Sequence, residues 1–199
     1  MRQKTYKLIG EHSRVLMEKY RNVEISKIEV LCKRLDRMKM ATLHLLSMGT
    51  FHENNEYKDN LYHMKILVHL VNKQKLIMDK PSSHLRLTQD KMYFYSNSDI
   101  PNIVIPCKSK HITLGSLYDN TLKKMGSKKF FSYDPATNNC QTFVFYVLSA
   151  NDLIHPNVKK RIMSYKQNTK KIFAKHPRLR KTISVLSSTS LGKYIAQFF

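Results

Sequence analysis

The chain has 199 residues, of which 42% are hydrophobic, and its 35 Lys and Arg against 14 Asp and Glu give a net charge of +21. This length and apolar content suffice for one domain with a packed core, and five glycines and six prolines exclude a collagen-like or low-complexity chain. The charge favours a polyanionic partner: nucleic acid, anionic lipid or an acidic protein surface. It is uneven, because residues 153–199 carry 11 Lys or Arg and no acid.

The sequence also limits where the protein works. It contains no apolar run of about 18 residues, so no transmembrane helix is expected. Charges interrupt the N-terminal stretch, which therefore does not resemble a secretory signal. The three cysteines, Cys32, Cys107 and Cys140, are far apart and lack CxxC spacing, which argues against a disulfide framework and a zinc site. We expect reduced thiols, no metal and no cofactor.

The first quarter of the chain is predicted as an N-terminal helical segment, residues 1–52. Apolar spacing predicts a helix over residues 4–20. Residues 25–51 begin with a short β-like run from Ile25 to Val30 and then predict a helix around Met38 to Leu46.

The middle of the chain, residues 53–152, is predicted as the core domain with a small antiparallel sheet. YHMKILVHLV (62–71) and KLIMDK (75–80) are separated by a short polar break and predict a β-hairpin. Further strands are expected near 84–96 and 102–106. Thr113 is a predicted helix cap, and a last core helix is expected from about 139 to 151.

The tail, residues 153–199, is predicted as a basic helical extension, which Pro177 should divide into two helices. Its apolar positions can dock while its basic side chains stay in water. The residues proposed for polyanion binding are Lys159, Lys160, Arg161, Lys170 and Lys171. The order of helices, then strands, then helices predicts an α+β fold.

A cysteine at a helix start is the strongest chemical signal in the sequence. In TNNCQTFVFYVLSAN (137–151), Asn138 or Asn139 is a good N-cap, which places Cys140 in the first helical turn. Free N–H groups and the helix dipole there stabilise a thiolate and lower its pKa. On this pattern alone a buried structural cysteine remains open, because a nucleophile also needs a base and an orienting group.

The NC dipeptide before an apolar helix, following a hairpin whose first strand begins with histidine, resembles the permuted papain-like fold. This fold includes lecithin:retinol acyltransferase and its phospholipid-acting and peptidase-like relatives. A closer similarity is to a family of proteins encoded by large nucleocytoplasmic DNA viruses, over roughly residues 25–190. The segments that carry it are LLSMGTF, LYHMKILVHL with KLIMDK, FFSYDPATNNCQTFVFYVLSAN and YKQNTKKIFAKHPRLRKTISVLS.

The resemblance implies roles for particular residues. Cys140 would be the nucleophile and His63 the base. Asp79 is the first choice for the orienting residue, with His69 and His84 as weaker choices. Two further residues are implied at the pocket: Gln141, whose backbone N–H suits an oxyanion hole, and Tyr133. The chain departs from the enzyme branch in having no clear third histidine after the hairpin.

Two functions of different classes follow. The first is a viral thiol hydrolase or acyltransferase that attacks an amide, ester or thioester. The alternative is a non-enzymatic virion protein, such as a minor capsid protein between membrane and DNA, that uses the same fold as a scaffold. Both place the protein in the virion or the host cytoplasm, with anionic surfaces or other virion proteins as partners.

Overall fold

The structure is a computed structural model that describes residues 10–35, 41, 43–45, 47, 61–89 and 102–189. Its strands are β1 (Ile25–Arg34), β2 (Tyr62–Leu70), β3 (Lys75–Asp79), β4 (Arg86–Gln89) and β5 (Ile103–Pro106). They form one antiparallel sheet in the order β4-β3-β2-β1-β5. The helices are α1 (Glu11–Tyr20), α2 (Leu114–Met125), α3 (Ser127–Phe130), α4 (Cys140–Ala150), α5 (Pro156–Lys175) and α6 (Pro177–Leu186), with a 3-10 turn at Lys108–Lys110. The predicted α+β class and small antiparallel sheet are confirmed.

The predicted hairpin is β2 and β3. Their dense Val, Ile and Leu content suits strands covered on both faces, and β2 has consecutive buried residues, which point to opposite faces of the sheet. Lys73 makes the turn with a φ of 67°. Because the strands are antiparallel, the end of β3 lies beside the start of β2. That arrangement places Asp79 near His63 at one edge of the sheet.

The main core lies between the sheet and helices α1, α2 and α4. Thr113 caps α2 through a capping box with Ser116, as the sequence predicted. Ser13 of α1 accepts a hydrogen bond from the Leu87 backbone N–H, which holds α1 against β4. The core side chains at the centre of the sheet and on α4 are all at most 1% exposed: Ile28, Val30, Met64, Ile66, Val68, Leu76, Met78, Leu87, Phe143, Val144, Val147 and Leu148.

The helical assignment of residues 1–52 needs a correction. The β-like run predicted at Ile25 to Val30 extends to Arg34 and pairs with both β2 and β5, so it is a central strand of the sheet. The β-branched and apolar residues of this run find partners on either side, and this pairing outweighs the adjacent helical periodicity. Residues 41 and 43–45 are helical as predicted, whereas the rest of that expected helix and residues 1–9 lie outside the described residues.

The tail forms two helices that divide at Pro177, as predicted. Ile162 of α5 belongs to the main core. A second, smaller core joins the two helices to the start of β2 and to the loop before α4, through Leu43, Leu61, Ala136, Ile172, Phe173 and Leu179. No helix among the described residues is long and apolar enough to cross a bilayer.

Candidate active site

Cys140 is the first residue of α4 and is only 5% exposed. Asn139 caps the helix, because its side-chain oxygen accepts a hydrogen bond from the Thr142 N–H at 3.0 Å. Asn138 fixes the preceding loop by donating to the carbonyl oxygens of Lys129 and Ser132, each at 2.8 Å. The two asparagines of the NNC motif thus hold the thiol in place from both sides.

The structure brings His63 and Asp79 to this thiol. His63 Nε2 lies 2.8 Å from Asp79 Oδ1, and both side chains are buried, at 7% and 1% exposure. His63 and Cys140 line the same cavity and are close enough for each to shift the pKa of the other. Since Asp79 occupies Nε2, Nδ1 is the ring nitrogen that remains to serve the sulfur. The three side chains form the chain carboxylate–imidazole–thiol that nucleophilic cysteine chemistry requires.

Asp79 is held as an anion by three cationic groups. Besides His63, its Oδ2 lies 2.7 Å from Arg86 Nη2 and 3.6 Å from Lys65 Nζ. Burial alone would raise the pKa of Asp79, but His63, Lys65 and Arg86 together hold it well below its usual range. The carboxylate therefore stays charged and keeps the His63 ring in one orientation.

His63 and Cys140 shift the pKa of each other in opposite directions. Burial alone would lower the pKa of His63, but Asp79 and Cys140 raise it to about 9. Burial would likewise raise the pKa of Cys140, but the charge and hydrogen bond of His63 and the backbone N–H of Met64 lower it. Both shifts favour a thiolate–imidazolium pair over the neutral thiol and imidazole. The other thiols differ, because burial raises the pKa of Cys32 to about 12 and raises that of Cys107.

A cavity of about 100 Å³ opens beside the thiol, and most of its wall is apolar. The second core supplies Leu43, Leu61 and Phe173, and α6 adds Ile183 and Leu186. Tyr133, Gln141 and Thr169 provide polar groups. The cavity is therefore shaped by the tail helices as much as by the sheet.

The two residues expected at the pocket both line the cavity. Tyr133 is half-buried there. Gln141 lies in the first turn of α4, whose N–H groups have no helical acceptors, so its backbone N–H is free for an oxyanion. Its side chain has a separate task, since Nε2 donates to the Tyr62 carbonyl at 3.1 Å and to Thr169 Oγ1 at 3.0 Å.

Other expected residues lie elsewhere. His69 is 2.8 Å from Glu29, and His84 Nδ1 is 2.9 Å from Ser83 Oγ, so neither orients His63. On α5, Lys159, Lys160, Lys170 and Lys171 are exposed. Arg161 is half-buried, and its Nε lies 3.4 Å from Tyr165 Oη, so it does not belong to the solvated face.

Lys80 is a functional candidate that the sequence did not reveal. Its side chain is 0% exposed, and Nζ donates to the Ser132 carbonyl and lies 5.9 Å from the centre of the Tyr133 ring. Burial lowers its pKa to about 7, against an opposing attraction to Cys140. A lysine at a strand end is normally solvated, whereas this one is enclosed and contacts Ser132 and Tyr133 in the loop before α4.

Within the described ranges, no group of three or more His, Cys, Asp and Glu side chains could hold a metal ion. Comparisons with protein-family models, with curated proteins and with solved structures gave no match for this chain.

Proposed function

We propose that the protein is a viral cysteine hydrolase or acyltransferase with a permuted papain-like fold, in which Cys140 is the nucleophile, His63 the general base and acid, and Asp79 the residue that orients His63. The observation that supports this most directly is the buried contact series from Asp79 through His63 to Cys140, at the edge of a cavity. A structural cysteine would need neither a charged histidine nor an opening beside it.

The acylation step follows from the ion pair. The Cys140 thiolate attacks the carbonyl carbon of an amide, ester or thioester and forms a C–S bond, while the C=O electron pair moves to oxygen. The backbone N–H groups of the first turn of α4 stabilise that oxyanion. The intermediate then collapses, the bond to the leaving group breaks, and the imidazolium of His63 protonates the leaving atom.

Deacylation reverses the roles. His63, now neutral, removes a proton from water or from an acceptor alcohol, amine or thiol as that molecule attacks the thioester carbonyl. Collapse of the second intermediate breaks the C–S bond and regenerates the thiolate, and His63 keeps the proton. Water gives hydrolysis and another acceptor gives acyl transfer. The apolar wall suits a substrate whose acyl side next to the carbonyl is apolar.

Acylation by p-nitrophenyl butyrate tests the proposal. We expect a burst of p-nitrophenol and a butyryl group on the Cys140 peptide after acid quenching. Cys140→Ala should abolish both, and His63→Ala should slow the burst by about 10²- to 10⁴-fold. Cys107→Ala, which removes another buried thiol, is the matched control and should retain the burst. Acylation that persists in Cys140→Ala contradicts the proposal.

A second candidate, the virion scaffold that contacts anionic surfaces, is favoured by one observation. Four lysines of α5, at 159, 160, 170 and 171, are exposed on a chain with a net charge of +21. Such a protein would bind a polyanion with steep salt dependence and would not need Cys140. An unreactive Cys140 together with strong, salt-sensitive polyanion binding would favour this function over the enzyme.

A further inference from the structure

A cluster of lysines surrounds the hydroxyl of Tyr146 on the solvent side of α4, away from the thiol. Lys129 Nζ lies 2.9 Å from Tyr146 Oη and 4.5 Å from the centre of its ring. Lys166 Nζ lies 5.2 Å from the centre of the neighbouring Phe145 ring. Lys124 donates to the Ser149 carbonyl, one turn further along α4, at 2.7 Å. Three helices, α2, α3 and α5, thus each contribute one ammonium group.

The cluster is electrostatically unbalanced. In the part of the chain that the structure describes, none of the three lysines forms an ion pair with a carboxylate. Tyr146 responds to this field: the hydrogen bond from Lys129 and the charges of all three lysines lower its pKa. Burial, followed by the charge of Lys129, lowers the pKa of Lys166. A bound anion would relieve this repulsion.

The cluster continues along α5. Lys159 and Lys170 lie seven residues before and four residues after Lys166, so the three share one face of the helix. Their row is about 16 Å long at the ordinary helical rise. Phosphates of one strand are spaced by roughly 3.4 Å along the duplex axis and are farther apart along the winding strand, so the row is long enough to meet more than one phosphate. A linear row of this length fits a polymer of phosphates better than a single headgroup.

We propose that Lys124, Lys129 and Lys166, together with the hydroxyl of Tyr146, form a phosphate site for the backbone of a nucleic acid, which then follows α5 past Lys159 and Lys170. The three ammonium groups and the Tyr146 hydroxyl donate to the phosphate oxygens. Contacts to phosphate position the strand without reading its sequence. The site depends neither on the thiol chemistry nor on Lys160 and Lys171.

A titration of the full chain with a fluorescent 20-bp DNA duplex, repeated over several salt concentrations, tests the site. Replacing Lys124, Lys129 and Lys166 together by Gln should reduce the slope of log K against log salt by about 0.9, the value for the one phosphate that the three lysines share. The matched control replaces Lys19, Lys33 and Lys73, three exposed lysines on α1, β1 and the β2–β3 turn, and leaves the net charge equal. The control slope should stay close to that of the unaltered protein.

Two further measurements distinguish a specific phosphate site from general attraction to the positive charge of the protein. Tyr146→Phe retains the three charges, so the slope should stay constant while the affinity falls by about two- to tenfold, the effect of one hydrogen bond. Vesicles of phosphatidylcholine with phosphatidylserine should bind the triple variant and its control equally. Equal slopes for the two triple variants on DNA, unaltered DNA affinity in Tyr146→Phe, or selective loss of vesicle binding would each overturn the proposal.

Discussion

Asp79 does more than orient a ring. Its two oxygens contact His63, Lys65 and Arg86, and it is 1% exposed, so its negative charge is both buried and fully paired. Asp79 acts on Cys140 in two opposed ways: its own charge raises the pKa of the thiol, whereas the imidazolium that it stabilises lowers that pKa. Thiol reactivity therefore depends on a group that never meets the substrate.

Asp79→Asn tests the influence of Asp79 on the reactivity of Cys140, measured at several pH values. The pKa of His63 should fall from about 9 toward its ordinary value, so less imidazolium is present to lower the pKa of Cys140. His63 influences Cys140 more strongly than the direct repulsion from Asp79 does, so the alkylation of Cys140 by iodoacetamide at pH 6–7 should slow. The buried His63 and the partly buried Lys65 and Arg86 lose their charged partner, which should cost about 3 kcal/mol of unfolding free energy. The measurements are alkylation with peptide mapping across pH, and thermal unfolding.

The effect of pH on folding stability follows from the direction of each pKa shift. His63 has a raised pKa, so its contribution to stability is complete below about 6.5 and is lost as pH rises through about 9. Asp79 has a lowered pKa, so its contribution is complete above its ordinary pKa and is lost in acid.

The matched control for Asp79→Asn is Glu29→Gln, which breaks the 2.8 Å contact with His69. If Glu29→Gln slows alkylation as much as Asp79→Asn does, the claim that Asp79 acts on Cys140 through His63 is wrong.

Lys80→Met should move stability and reactivity in opposite directions. An enclosed ammonium with a pKa lowered to about 7 destabilises the fold at neutral pH, and this cost disappears as pH rises toward the ordinary pKa of lysine. Methionine at this position should therefore raise the unfolding temperature at pH 7. It also removes a positive charge near Cys140, so alkylation at pH 6–7 should slow several-fold. A variant in which both quantities fall would show that Lys80 acts only as packing.

At the scale of elements, local patterns predicted what local forces decide. The hairpin, the Thr113 cap and the break at Pro177 each depend on residues close in sequence, and each was predicted from them. The cap of α4 was predicted as Asn138 or Asn139, and the structure shows that it is Asn139. The length of β1 was not predicted. Its extension to Arg34 depends on pairing with β2, which begins 28 residues further along the chain. The same limit concealed Lys80, whose enclosure depends on a loop some fifty residues away.

The tail helices were expected to dock, but the sequence could not indicate where. They cover the thiol: Phe173 of α5 and Ile183 of α6 line the cavity, and Arg180 of α6 lies 2.9 Å from Asp134 in the loop before Cys140. The periodicity of a helix identifies its apolar face but not the partner of that face. The tail, which the sequence predicts as a helical extension, therefore forms one wall of the candidate site.

Phe173→Leu tests that wall. The residue is 5% exposed, so we expect a loss of about 1 kcal/mol of unfolding free energy and a larger cavity. The preference among p-nitrophenyl esters should shift toward longer acyl chains, measured as the ratio of kcat/KM for hexanoate and butyrate. Phe130→Leu is the control, because Phe130 is 1% exposed in the main core and does not line the cavity. The same shift in both variants would contradict a specific role for the wall.

At the scale of the whole molecule, the net charge of +21 opposes folding. Compaction brings like charges together, and added salt screens their repulsion. We expect the unfolding temperature to rise between 50 and 500 mM sodium chloride, by about 2–4 °C for each kcal/mol of repulsion relieved. A duplex DNA should raise it further at low salt, because binding to the native state stabilises that state. A fall in unfolding temperature with salt would mean that ion pairs outweigh the repulsion.

The order of the site along the chain has a consequence for synthesis. His63 and Asp79 belong to one hairpin and are made together, whereas Cys140 is made 61 residues later. Chains emerge from the ribosome N-terminus first, so the hairpin can form while the sulfur is still inside the exit tunnel or newly released. Until α4 docks on β2, that sulfur has no imidazolium beside it and remains a protonated, sluggish thiol. If Cys140 is the nucleophile proposed above, the thiol gains its reactivity only when the fold is complete, and we expect the nascent chain to resist acylation and oxidation until then.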